Sequence, residues 1–313
     1  MARGSSILRR SYVLLPLIFG LAFLSACVVS PFAKVLNDGL GKARPLGKLF
    51  TECLLAFALL YFIAFRRWMR SRVVESLNLR VSSVLVHLVT GLAVGVLAIS
   101  VIIAIFSVAG AKHYEPDFAA AMIWKALLAG LAVGVIEEIV FRGVVLQNLQ
   151  ADMEAFFAVV FASAFFAAMH FIQPLPSDIL PNGAAPPFKE FHILNGFRLV
   201  PYQLSNFDQF GQIWPFFVGL FLIGAALSVA AIKTGALYLP IGIHAGFVAM
   251  LKLDGHVFHD VAGRSKLLFG VAKDWYMSYT DSLVTWLVTL VLIVLLYMYA
   301  KKPRVRSDTS GKR

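Results

Sequence analysis

The sequence predicts an all-α fold, a polytopic transmembrane bundle of about eight spans. Three observations carry that expectation. The 313 residues are 59% hydrophobic and only 14% charged, with a mean hydropathy of +0.80. The apolar residues gather in eight runs, roughly 11–33, 46–65, 82–109, 119–149, 153–173, 213–232, 236–252 and 282–300. Most of these reach or exceed the ~20 residues that cross a ~30 Å hydrocarbon layer. The whole of 1–313 reads as one integral-membrane domain with a motif core at 119–252 and a basic tail at 301–313.

The first run follows Arg9 and Arg10 and contains Leu24-Ser25-Ala26-Cys27, which looks like a bacterial lipobox. It continues through Val28 and Val29, so an uncleaved first helix is expected. Cys27 and Cys53 both lie in apolar runs and are expected as free thiols. The third run holds His87, expected to pack or bond between helices. The stretch 174–212 contains six prolines with Phe188, Phe191, Phe197 and Phe207 interleaved. That mixture suggests a long interfacial loop between the fifth and sixth runs. The last outer loop carries His256, His259 and Asp260, expected to be solvated rather than metal-binding.

The net charge of +11 is not a nucleic-acid signal. The basic residues sit at membrane edges, and no phosphate-binding, dinucleotide or zinc-finger pattern is present. Lys and Arg are more numerous in the segments that face inward when the N-terminus is inside. Both termini are therefore expected in the cytoplasm, at a bacterial inner membrane.

Inside the fourth run stand Glu137, Glu138 and Arg142. One charge at bilayer depth costs roughly 2.5–3.5 kcal/mol on insertion scales, and such residues are functional by default. Glu138 and Arg142 are i and i+4 and share a helix face, so they are expected to pair. Glu137 lies about 100° round the helix and is the carboxylate left to act elsewhere. A buried structural pair with one protonated glutamate is the plainer alternative.

Besides His87, the runs hold His170 in the fifth and His244 in the seventh. Glu137 precedes the turn near Ala151 by about 21 Å of helix, and His170 follows it by about 29 Å. Tilt can absorb that difference, so the two are expected to meet. His244 is shallower, about 15 Å past the turn at Thr234-Gly235, and Pro240 is expected to bend or sink its helix. Such a set activates water: a glutamate takes the proton, one histidine helps hold the water, and another faces the oxyanion. The same residues, Glu137, His170 and His244, are an alternative ligand set for a divalent metal, zinc first. No His-Glu-x-x-His helix and no Gly-x-Ser-x-Gly elbow occurs.

At these residues the chain resembles the CPBP family, the type II CAAX prenyl endopeptidases and the related bacteriocin-processing and self-immunity proteins. Glu137, Glu138 and Arg142 match its Glu-Glu-x-x-x-Arg motif, Phe166 and His170 its Phe-x-x-x-His, and His244 its third motif. The resemblance implies an intramembrane endopeptidase of eight or so spans. It implies Glu137 as base on the water, His170 as its partner and His244 beside the oxyanion. Family members have been described both as metalloproteases and as glutamate-type proteases, so a metal is left open. Val248 stands where an Asn would supply a further oxyanion donor, and Val donates nothing. Losing such a donor typically costs ~10²–10³ in rate.

The expected substrate is a membrane peptide or prenylated protein, with the lipid bilayer as the other partner and no nucleic acid. A non-catalytic immunity or scaffold protein is the runner-up. A proton-coupled transporter ranks third, since no inverted repeat is visible. Tags placed on Met1 and Arg313 are expected to resist external protease in intact cells. Digestion of either tag would contradict the inside–inside arrangement.

Overall fold

The structure is a computed structural model that describes residues 10–42, 44–69, 76–77, 81–114, 120–172, 188, 190–208, 210–261, 265–269 and 279–299. The basic tail, Arg3, Arg9 and all of 173–187 lie outside the described residues. In chain order the elements are α1 (Ser11–Gly39), α2 (Leu46–Ala64), α3 (Val81–Val108), β1 (Lys112–Tyr114) and α4 (Ala120–Glu138). A π-helix over Ile139–Leu146 follows, then α5 (Gln147–Gln150), α6 (Ala155–Met169), α7 (Asn195–Arg198) and α8 (Val200–Asp208). The chain continues with α9 (Phe210–Thr234), α10 (Tyr238–Val257), β2 (Phe258–Asp260), α11 (Lys266–Phe269) and α12 (Leu283–Tyr299).

Each of the eight apolar runs is helical, so the all-α membrane bundle is the observed fold. Among the described residues, four helices are long and apolar enough to cross a membrane: Ser11–Gly39, Leu46–Ala64, Ser83–Val108 and Trp214–Thr234. The chain is an integral membrane protein. Three details differ from expectation. The region 174–212 is not all loop, because α7 and α8 occupy much of its second half. Pro201, one of the six prolines of that stretch, sits in the first turn of α8, where its missing N–H costs no helical bond. Pro240 likewise falls in the first turn of α10, where its missing N–H costs no helical bond. Two three-residue strands also form, pairing antiparallel with His113 opposite His259. Among the described residues no group of His, Cys, Asp and Glu is arranged to hold a metal, there or elsewhere.

The contacts divide the chain into two compact units, one of 1–71 and 144–217, the other of 72–143 and 218–313. In the first unit α1 packs on α2, with the Phe19 ring edge-on to Phe62 and Phe165. Gly196 of α7 lies against the Cys27 carbonyl so closely that any Cβ there would collide. Cys27 is buried within the unbroken α1.

The second unit is organised around α10. Every residue from Leu239 to Ala249 is buried, because other helices cover α10 on more than one face. Small residues allow this. Gly91 and Gly95 of α3 meet Gly242 and Gly246 of α10, two four-residue glycine spacings in mutual contact. A Cβ at Gly246 would come 2.7 Å from the Leu92 carbonyl oxygen and 2.8 Å from Val96 N. On α4 the buried residues are Ala126, Gly130, Gly134 and Glu138, four apart each time. This is the small-xxx-small packing that lets helix backbones approach in a membrane. Gly235, at φ +65°, ends α9 and starts the turn into α10, the left-handed position glycine favours after a helix. At the far end of α10, buried Lys112 and Asp254 pair at 2.6 Å, and the Tyr279 hydroxyl donates to Asp254.

Gly242→Ala sets a Cβ against the Leu88 carbonyl and 2.9 Å from Gly91 Cα. It is expected to destabilise by about 1–3 kcal/mol, as overpacking does. Gly20→Ala, with nothing near its Cβ, is expected to leave stability unchanged or slightly raised. Melting in detergent measures both; equal melting of the two variants would contradict the close packing.

Candidate active site

The site in the second unit starts from one helix row. Gly130 and Gly134 bring α4 up to α10, and Glu138 is the next residue on that row. A Cβ at Gly134 would lie 3.0 Å from the Ile241 carbonyl and 3.6 Å from His244 Cβ. The glycine therefore sets how closely His244 can come to Glu138.

Glu138 and Arg142 are almost wholly buried, at 0% and 1% side-chain exposure, and pair at 2.8 Å from Oε1 to Nη1. The expected ion pair is thus formed. The same Oε1 accepts a second hydrogen bond, from His244 Nδ1 at 2.8 Å. A carboxylate oxygen only accepts, so Nδ1 carries the proton in that bond. Arg142 also donates through Nη2 to the Gly224 carbonyl of α9 at 2.9 Å. One carboxylate oxygen and one guanidinium therefore tie α4, the following π-helix, α9 and α10 together.

With Nδ1 committed, His244 presents Nε2 to Glu137. The distance from Nε2 to Glu137 Oε2 is 3.8 Å, and the Glu137 side chain keeps 28% exposure. Oε2 itself is buried and has no hydrogen-bond partner among the described residues. Buried polar atoms left in this way are ordinarily satisfied by ordered water. Glu137, Glu138 and Arg142 sum to one negative charge, and one proton on the Glu137–His244 pair brings the group to zero. Neutral clusters of this kind are far cheaper to bury than a net charge.

The π-helix begins at Ile139, directly after the two glutamates, and carries Arg142. Its hydrogen bonds run i to i+5, and such segments recur at functional sites.

Of the sequence-predicted residues, the structure gathers Glu137, Glu138, Arg142 and His244, with Val248 buried one turn beyond His244 on α10. Phe166 and His170 belong to the first unit. There His170 caps the end of α6, and its Nδ1 lies 2.9 Å from the Phe166 carbonyl. A carbonyl only accepts, so Nδ1 donates and the neutral ring leaves its lone pair on Nε2. The Phe166 ring packs beside the imidazole, centroids 4.6 Å apart. The Phe-x-x-x-His spacing thus fixes both the tautomer and the tilt of the ring.

Two roles were missed from sequence. Glu138 anchors His244 as well as Arg142, and the Gly224 carbonyl is a second acceptor for Arg142. The signal for the first was the Gly130-Gly134-Glu138 row. A catalytic zinc takes three protein ligands and a water. Among the described residues no group of three His, Cys, Asp or Glu side chains has that arrangement.

Residues 119–250 match the model of the family described as Type II CAAX prenyl endopeptidase Rce1-like. The segment that carries all three motifs is thus similar to this family, in agreement with the resemblance read from the sequence. No curated protein and no solved structure matches the chain.

Arg142→Ala leaves Glu138 buried without its countercharge and is expected to cost about 3–5 kcal/mol. Arg142→Lys keeps the charge but not the two-armed donor, and is expected to fall between the alanine variant and the parent. Folded yield and melting in detergent read both. Parent-like melting of Arg142→Ala would contradict the buried pairing.

Proposed function

We propose that the chain is an intramembrane endopeptidase that hydrolyses a peptide bond in a membrane-associated, CAAX-like or bacteriocin-like substrate, with Glu137 as base on the attacking water. The family match supports the protease class. The observation that carries the chemistry is the facing pair, Glu137 Oε2 and His244 Nε2, 3.8 Å apart. That gap is too long for a direct hydrogen bond. A water about 2.8 Å from both atoms spans it.

In this scheme Glu137 accepts a proton from the water as its oxygen attacks the carbonyl carbon. The proton then passes to the amine nitrogen as the C–N bond breaks. His244 faces the same oxygen with Nε2, and when protonated it donates to the developing oxyanion. Glu138 touches no reacting atom; it is a positioning residue that holds the imidazole through Nδ1. The motif resemblance adds His170 as a further partner of the water, offering the Nε2 lone pair that its bond to Phe166 leaves exposed to chemistry.

A second reading keeps the fold without the reaction, as an immunity or scaffold protein. The buried Val248 favours it, since no amide donor stands there.

Reconstituted protein and a library of prenylated and unprenylated peptides test these readings. Glu137→Gln is expected to remain folded and lose cleavage by at least ~10²-fold, because the amide cannot take a proton from water. His170→Ala is expected to do the same, and His244→Ala to lower kcat more than it raises KM. Cleavage by Glu137→Gln at the parent rate would remove Glu137 from the role. Prolonged chelation is expected to leave activity unchanged; loss that added zinc restores would replace this scheme by a metal-held water. Complementation of a deletion strain by Glu137→Gln, with no cleavage by the parent, would select the scaffold.

A further inference from the structure

The first unit contains a cavity of about 180 Å³ whose lining includes Lys34 and Asp38 of α1 with Phe188, Glu190, Phe191 and Asn195. It suits a lipid headgroup.

Its depth follows from helix length. The 29 residues of α1 span about 43 Å at ~1.5 Å each, against a hydrocarbon layer of ~30 Å. The first twenty or so, starting beside Arg10, account for that layer. The 19 residues of α2 cover about 28 Å, one crossing and no more. The last turns of α1, from Pro31 to Gly39, therefore stand in the headgroup layer, and the cavity opens there.

Its charge selects among headgroups. Lys34 and Asp38 are an i,i+4 ion pair and cancel. Glu190 is exposed and has no ion-pair partner among the described residues, so the described lining carries one excess negative charge. The rings of Phe188 and Phe191 add faces that attract a cation. Asn195 is buried behind them and donates to the Glu190 carbonyl at 2.9 Å, which fixes the backbone that carries Glu190.

We propose that this cavity binds the headgroup of an ethanolamine phospholipid. The ammonium lies between the Glu190 and Asp38 carboxylates, and the phosphate takes the remaining N–H of Lys34. A primary ammonium donates charge-assisted hydrogen bonds to carboxylates, which a choline group lacks. A glycerol headgroup brings only its negative phosphate to a site already negative.

The test uses the full chain in detergent, with ethanolamine, choline and glycerol phospholipids of identical acyl chains in competition. Native mass spectrometry reads what is retained. The parent is expected to retain the ethanolamine lipid at least about fivefold over either competitor. Glu190→Gln is expected to bring that ratio to about one, while Glu52→Gln, an exposed carboxylate outside the cavity, leaves it unchanged. Equal retention of the three lipids by the parent, or a preference that survives Glu190→Gln, would overturn the proposal. Soluble phosphoethanolamine is the third arm. It is expected to displace the lipid only at far higher concentration; displacement at equal concentration would make a free amine, not a lipid, the occupant.

Discussion

A single buried oxygen, Glu138 Oε1, accepts hydrogen bonds from both Arg142 and His244. Removing a carboxylate from water is expensive, and the cost is met only where geometry and further hydrogen bonds are good. Here Oε1 meets both conditions, while Glu138 Oε2 is buried with no hydrogen-bond partner among the described residues. Arg142 supplies the countercharge and reaches on to the Gly224 carbonyl. His244 supplies an N–H and, by giving it, points its other nitrogen at Glu137. The direction of Nε2 is therefore a consequence of an ion pair that does not itself contact the reacting atoms. Such outer partners commonly fix tautomer and orientation for a working histidine.

That arrangement depends on close helices. Apolar side chains gain nothing by leaving lipid for other apolar side chains, so membrane helices associate through small residues and polar bonds. Both are present on α10. Gly242 and Gly246 seat it on α3, and Gly130 and Gly134 bring α4 to its side. The site is then held by dense backbone contact and by one hydrogen-bonded charge group. The cost of burying Glu138 and Arg142 and the tight glycine packing serve the same geometry.

Much of this was legible in the sequence, for identifiable reasons. Apolar runs near bilayer length read as helices because few other structures satisfy backbone groups in lipid. Glu138 and Arg142 pair because helix geometry alone brings i and i+4 together. The turn at Thr234-Gly235 was readable because glycine takes the left-handed conformation there. The π-helix over Ile139–Leu146 was not readable, since its hydrogen-bond register leaves no mark on composition. The pairing of Glu138 with His244 joins residues 106 apart, and it depends on how two helices rotate against each other. Strands of three residues are too short for alternation to register. The prolines of 174–212 pointed to a loop, yet Pro201 stands in the first turn of a helix, where a proline is tolerated. The expected meeting of Glu137 with His170 rested on depth alone. The meeting expected of Glu137 with His244 is found within the second unit.

The central claim is that Glu138 and His244 act as one bonded unit that orients Nε2. A double-mutant cycle tests it most directly, with Glu138→Gln, His244→Gln and the double variant unfolded in the same detergent. Residues that share a hydrogen bond to a charged group couple by about 1–3 kcal/mol. The account predicts coupling of that size, the double variant costing less than the two single variants together. Additivity within about 0.5 kcal/mol would mean that His244 is held by packing alone, and would contradict it.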